Sequence, residues 1–344
     1  MKKFEFTGET KTISLLFRTA TLHRIRAVAE FGLVKIGDLG GWIEKEENLS
    51  HEGKAWVCGD AKVCGDAKVW GNAKVCGDAK VWGNAEVCGD AKVWGNAKVC
   101  GDAKVCGDAK VWGNAKVWGN AKVWGNAEVC GDAEVCGDAK VCGDAKVWGN
   151  AKVCGDAKVW GNAKVCGDAK VWGNAEVCGD AKVWGNAKVW GNAEVWGNAE
   201  VCGDAKVWGD AKVWGNAKVC GDAKVWGNAK VCGDAKVWGN AEVCGDAEVW
   251  GNAEVWGDAE VFSASHVLVI GAIGSRDDFT TFFRDKDNEI TVKCGCFLGK
   301  IDKFLEKVTQ THGDSKYALV YRAAVEVARL QIDLSGEAPK DADE

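Results

Sequence analysis

Between residues 55 and 258 the chain alternates apolar and polar positions with a period of six. The unit is almost always Ala-Lys/Glu-Val-Trp/Cys-Gly-Asn/Asp, with Trp56 at the second position of the first copy, and it repeats 34 times without insertion or loss. Side chains alternate faces along an extended strand. Ala, Val and Gly therefore share one side, and Lys/Glu, Trp/Cys and Asn/Asp the other. The charged side chains cannot all point inward without partners. Ala and Val are thus expected to line an interior, and the even positions to face out. Gly-Asn or Gly-Asp is expected to supply the bend. Gly enters positive φ freely, and Asn or Asp tolerates the left-handed region.

Short strand, bend, short strand predicts a mainly β fold, a parallel β-helix. Three units of six suit a triangular coil of 18 residues. The array then makes about 11 coils, roughly 54 Å along the axis at ~4.8 Å between stacked strands. Residues 18 apart should stack on one face. Ala259 to Ala264 is a degenerate last copy, so the β-helix is assigned to residues 55–264.

The flanks break the pattern. Residues 1–54 are read as an N-terminal cap with irregular first rungs, since a solenoid end otherwise shows an unpaired edge and an open core. Leu22 to Val28 reads as a strand within it. Residues 265–336 predict a small α+β domain. Its strands are expected at Val267–Ile270, Phe279–Phe283 and Glu289–Cys294, and its helices at Lys300–Thr311 and Lys316–Leu334. Residues 337–344 read as an acidic flexible tail.

Composition follows from the repeat: 46 Gly, 20 Trp, 18 Cys and a single Pro, Pro339. Scarce Pro fits uninterrupted ladders. No apolar stretch suggests a membrane span or a secretory leader. The expectation is a cytoplasmic protein of the producing cell, with most thiols reduced. The net charge of −6 interleaves Lys with Glu and Asp along the repeats. It leaves no basic footprint for nucleic acid, and the interleaved Lys makes DNA mimicry a poor fit. Ice binding is also a poor fit, because the repeats carry no Ser or Thr.

Two resemblances refine this picture. The small residue two before an aliphatic resembles the left-handed β-helix of hexapeptide-repeat proteins, which implies the coil hand. The lead-in Gly37-Asp38-Leu39-Gly40-Gly41-Trp42-Ile43-Glu44 and the Gly-Asn-Ala-Lys-Val run look like a bacterial and phage or prophage group of uncharacterised function. So do Gly274-Ser275-Arg276-Asp277-Asp278-Phe279 and Cys294-Gly295-Cys296-Phe297. In that group the outward position is often Tyr or Ser. Here it is Trp or Cys.

Candidate chemistry is sparse. Many left-handed β-helices are acyltransferases with a His base. The four histidines here all lie outside the 34 repeats, so that reading rests on His51 or His266. No catalytic residue is assigned, and no cofactor or metal is expected. No face stacks three Cys in a row, whereas a closed zinc site needs four converging ligands. Cys294-x-Cys296 is half a site and reads as strand packing. Four Cys pairs lie 18 apart: Cys58/Cys76, Cys88/Cys106, Cys136/Cys154 and Cys202/Cys220. They are the pairs that could bond under oxidation. The longest same-face aromatic row is Trp172, Trp190, Trp208 and Trp226, the candidate binding residues. The alternative is that the row is a structural ladder.

The sequence therefore predicts a non-enzymatic structural or interaction rod. It would present or space its terminal domain, with a protein partner or self-association expected and virion association conceivable. The alternative is a carbohydrate- or protein-binding module using the outward Trp rows, and the third reading is an acyltransferase.

Overall fold

The structure is a computed structural model that describes residues 2–14 and 18–339. It divides into two compact units, Met1–Asn174 and Ala175–Glu344. Each contains a parallel β-solenoid, and the second also carries the small α+β domain.

The first unit begins with an antiparallel pair, Phe4–Ser14 and Thr19–Ala27. The strand predicted from Leu22 lies within the second of these. Leu39–Ile43 pairs antiparallel with Thr19–Ala27 and parallel with Lys62–Val63, through Trp42↔Lys62 and Ile43↔Val63. One strand thus converts the antiparallel hairpin into the parallel ladder. The hairpin covers the edge that the first coil would expose. Ala20, Leu22, Trp42 and Cys64 bury one another beneath it.

Each hexapeptide forms a strand of only two residues, Lys-Val or Glu-Val after the first, Trp56–Val57, between Gly turns. Each strand pairs in parallel with the one 18 residues on. Lys92 pairs with Lys110 and Val93 with Val111; Lys104 pairs with Lys122 and Val105 with Val123. Backbone bonds follow the same step, as from Lys92 N to Ala109 O at 2.9 Å and from Trp94 N to Val111 O at 3.0 Å. Three sheets result, one per side of the coil. Every repeat Ala and Val is 0% exposed. A buried Val contributes roughly 1.5–3 kcal/mol over an exposed one, so this interior is what holds the coils together.

The bend differs from expectation in one respect. Gly alone takes the left-handed conformation, at φ +70° for Gly101's neighbour Gly95 and +68° for Gly143. Among the described residues the non-Gly residues with positive φ are Asp277 and Asn288, both outside the repeats. The Asn and Asp side chains instead bond along the stack. Asn114 Nδ2 donates to Asp132 Oδ1 at 2.9 Å, and Asn216 Nδ2 to Asp234 Oδ1 at 2.9 Å.

The second unit repeats this coil, with Lys182↔Glu200 and Val183↔Val201 as an example of its register. Its last coil strand is Glu260–Val261. An antiparallel sheet follows: Val267–Ile273, Asp278–Arg284, Ile290–Cys294 and Phe297–Lys300, in that spatial order. Helices α1 (Ile301–His312) and α2 (Lys316–Gln331) come after it. Their inward residues Phe304, Val308, Tyr321 and Val325 pack on Phe282 and Val292. The fourth strand was not predicted, and α2 ends at Gln331 rather than Leu334.

The sheet is fastened to the last coil. Lys286 N donates to Asp258 O at 3.1 Å, and Glu254 N to Thr281 Oγ1 at 2.9 Å. Beyond α2, Asp333 N bonds Ser265 O at 3.2 Å, and Gly336 O accepts from Arg284 at 3.2 Å. Of the expected tail, residues 340–344 lie outside the described residues.

Candidate functional site

The outward positions of the coils mostly satisfy one another. In the second unit Trp190 stacks on Trp208 with ring centroids 4.8 Å apart and planes 2° from parallel. Trp208 stacks on Trp226 at 5.0 Å and 7°. Cys244 and Phe262 extend this cluster. Trp208 is 3% exposed and Trp226 8%. The indole faces in this row therefore meet each other. Trp172 belongs to the first unit and is half-buried. More exposed indoles lie off the row: Trp250 is 67% exposed.

The four Cys pairs named from their spacing are disulfides, with Cα–Cα distances of 4.6–4.7 Å. Stacked strands place Cα atoms in the range a disulfide spans. The other ten cysteines form no disulfide. Burial pushes the Cys64 thiol up to about 11, aided by Glu44. Burial likewise pushes Cys178 up to about 11, aided by Glu176 and Glu194. Lys and Glu pair along the stack as well. Glu134 lies 2.8 Å from Lys116 and 3.5 Å from Lys152, one coil to either side.

The histidines at the ends of the repeats are held by structure. His51 Nδ1 accepts from Lys3 N at 3.2 Å, and its Nε2 meets Glu46 Oε1 at 2.8 Å. Its ring stacks on Phe4 at 4.3 Å. His266 is buried, accepts at Nδ1 from Phe262 N at 3.3 Å, and meets the Phe262 ring edge-on. Burial, then the nearby Arg284 charge, lowers its pKa. A base needs a nitrogen free to reach a substrate. These bonds already use both ring nitrogens of His51 and one of His266.

A chemically mixed cleft of about 380 Å3 lies in the terminal α+β domain. Three short segments build it. The turn Gly274–Arg276 brings Arg276, the hairpin after Ile290–Cys294 brings Cys294 and Cys296, and the outer half of α1 brings Lys307 and His312. Tyr321 of α2 lies beneath, with Phe297 and Phe304 completing an aromatic floor. Phe304 meets Tyr321 edge-on at 5.6 Å, and His312 stacks on Tyr321 at 5.8 Å.

Two glycines make room for it. A Cβ on Gly274 would stand 1.9 Å from the Tyr321 hydroxyl, and one on Gly295 would stand 2.7 Å from Arg276 Nη1. Both take positive φ, where a side chain is strained in any case. Thr280 Oγ1 donates to Cys294 Sγ at 3.2 Å, and the Cys294 thiol lies 3.9 Å from the Tyr321 hydroxyl. Burial first, then the Cys294 thiol, push the Tyr321 phenol up to about 12, against a backbone bond from Ser275. Tyr321 is thus a neutral donor across the physiological range.

Sequence reasoning identified Cys294 and Cys296 but not Arg276, Lys307, His312 and Tyr321 as their neighbours. The available signal was a Gly beside each contributing turn. Among the described residues no group of three or more His, Cys, Asp or Glu is placed to hold a metal ion. No helix among them is long and apolar enough to cross a membrane.

No protein-family model matches the chain, and no curated protein matches it. Among solved structures it is similar to UDP-N-acetylglucosamine acyltransferase from Campylobacter jejuni, at 12% identity and a TM-score of 0.21. The similarity covers 75% of this chain and 85% of that one. A likeness this low carries no argument about activity.

Proposed function

We propose that this chain is a non-enzymatic structural and interaction protein. Its coils serve as a stiff scaffold, and its terminal α+β domain is the end that engages a partner. The use of the outward positions supports this reading. Across the repeats, Trp stacks on Trp, Cys bonds Cys, Lys pairs with Glu, and Asn bonds Asp. Such contacts stiffen a ladder and leave little of it for a ligand. No His and no inserted loop interrupts the 34 repeats. The side chains of mixed chemistry converge in the terminal domain instead. Phage or prophage origin and virion association, implied by resemblance, belong to the same proposal.

The test is partner capture on the full chain by three variants. Leu319→Asp/Leu330→Asp, on the exposed face of α2, and Arg276→Ala, in the cleft, alter the terminal domain. Trp190→Ala/Trp208→Ala alters the coil row. Loss with a terminal-domain variant and retention with the coil variant is the expected result. The reverse would transfer binding to the Trp row, as a carbohydrate- or protein-binding module. Acyl transfer from an acyl-CoA donor, abolished by His51→Ala or His266→Ala, would overturn the non-enzymatic reading.

The outward Trp as a binding surface remains a second reading. It is favoured by the exposure of Trp250, since exposed aromatics in number mark contact surfaces. A glycan array with wild type and Trp250→Ala tests it, and unchanged binding would sink it.

A further inference from the structure

We propose that the cleft between Arg276, Lys307 and Tyr321 binds a small organic oxyanion, a phosphate or carboxylate carried on an aromatic or apolar body. The inference rests on reading the terminal domain as the engaging end, and names the ligand chemistry.

Charge is the first argument. The protein as a whole is acidic, at −6. The residues lining this cleft include Arg276, Lys307 and His312 and no carboxylate. Among the described residues Arg276 makes no ion pair, although acidic side chains pair with most other arginines of the chain, as Glu326 and Asp302 do with Arg329. A guanidinium presents a planar fork of donors that matches carboxylate and phosphate oxygens. Lys307 adds a point charge from α1, its Nζ donating to Gln310 Oε1 at 3.1 Å.

Room for the guanidinium is the second argument. A Cβ on Gly295 would stand 2.7 Å from Arg276 Nη1, so the hairpin turn leaves space for the exposed arginine beside the cleft.

The floor is the third argument. Phe297 is partly buried and lines the floor over the buried rings of Phe304 and Tyr321, while the Tyr321 hydroxyl and the neighbouring Thr311 and Ser275 supply neutral polar groups. An apolar floor with a few convergent polar groups is the usual make-up of a small-molecule site, and about 380 Å3 is within the usual volume range. The size fits one ring with one anionic group. The free thiols of Cys294 and Cys296 at the rim provide a reporter of occupancy.

The experiment titrates full-length protein with phenyl phosphate, benzoate and inorganic phosphate by calorimetry. A parallel arm follows alkylation of Cys296 by iodoacetamide through peptide mass spectrometry. Phenyl phosphate or benzoate is expected to bind saturably, tighter than inorganic phosphate, and to slow alkylation of Cys296. Which of the two binds tighter identifies the anionic group. Arg276→Ala is expected to weaken binding by about tenfold or more, the scale of a charge-assisted hydrogen bond. Arg276→Lys should retain part of that affinity, and Lys303→Ala, the same charge change elsewhere on α1, should retain all of it. Circular dichroism confirms that each variant is folded.

The proposal is overturned if neither aromatic anion binds, or if Lys303→Ala weakens binding as much as Arg276→Ala. It is also overturned if inorganic phosphate binds as tightly as phenyl phosphate, because the aromatic floor then plays no part. Failure here with partner capture still lost in Leu319→Asp/Leu330→Asp would leave the terminal-domain reading standing. Failure of both would remove the two together.

Discussion

Arg284 Nη1 lies 2.7 Å from Glu260 Oε2 and joins the antiparallel sheet to the last coil. The guanidinium is 2% exposed and sits 4.5 Å from the centre of the Phe262 ring. It also donates to Gly336 O and to Asn288 Oδ1. Sheet, coil and the segment after α2 thus share one buried cation. Glu260→Gln leaves that cation without its counter-charge, which costs about 3–5 kcal/mol at a buried pair. Glu260 is partly exposed, so the lower end is expected. Hydrogen exchange should show faster opening of Asp278–Arg284 while coil amides of the first unit keep their protection. Uniform loss across both units would contradict a local clamp.

The disulfides make a countable prediction. Unfolded without reductant, the chain should show 10 reactive thiols, and after reduction all 18. In the folded protein Cys296 should alkylate first, being exposed. Cys64 and Cys178 should lag, because thiols pushed up to about 11 hold little thiolate near neutral pH. Cys136→Ser/Cys154→Ser should lower stability by about 3 kcal/mol, the loop-closure value for a separation of this size. Cys142→Ser, at a free thiol, should cost much less. Equal losses in the two variants would mean that the bond adds nothing to the stacked strands.

The exact period made the coil legible. One hexapeptide assigns Ala and Val to the interior, and 34 copies repeat the assignment. Spacing also named the four Cys pairs, because a step of 18 is one coil. Spacing could not report exposure: Trp208 belongs to the longest Trp row, yet its face is covered by its own neighbours. The role of Asn was misread for a related reason. Its left-handed tolerance is a local property, while its bond to Asp depends on the next coil. Phe297–Lys300 escaped notice because four residues including Gly299 carry too little alternation. The cleft escaped because Arg276, Lys307 and Tyr321 come from three separate segments, none unusual alone.

The turn glycines should differ in cost by position. Gly143 has φ +68°, and a Cβ there would meet Gly161 N and O at 3.1 Å. Gly143→Ala therefore adds a tight backbone contact to left-handed strain of about 1–2 kcal/mol. Gly251 has φ +65° with nothing within 4 Å of a Cβ. Gly251→Ala should cost the strain alone. Repeat arrays open locally, so hydrogen exchange near each turn is the suitable measurement. Equal destabilisation at the two sites would show that stacking between turns is slack.

Acid should loosen the Glu-bridged coils first. Glu134 sits between Lys116 and Lys152, one coil before and one after. The hydrogen bond from Lys116 is the main cause holding its carboxyl below the usual range, against some desolvation, with the two lysine charges adding to it. A carboxyl depressed in the folded state contributes stability above its unfolded pKa and loses it as the pH falls through the folded value. The window therefore lies below about 4.3, the ordinary Glu value. Protonation removes two cross-coil pairs at once and leaves Lys116 and Lys152 without their shared counter-ion. Amides of Lys116–Val117, Glu134–Val135 and Lys152–Val153 should lose protection as the pH falls below about 4.3, earlier than those of strands where Lys stacks on Lys, such as Lys92 and Lys110. Glu134→Gln should flatten that dependence while lowering protection modestly at neutral pH, since partly exposed pairs contribute roughly 0–1 kcal/mol. Raising the salt concentration should reduce the difference between wild type and Glu134→Gln. An unchanged acid profile in Glu134→Gln would assign the loss to other carboxylates.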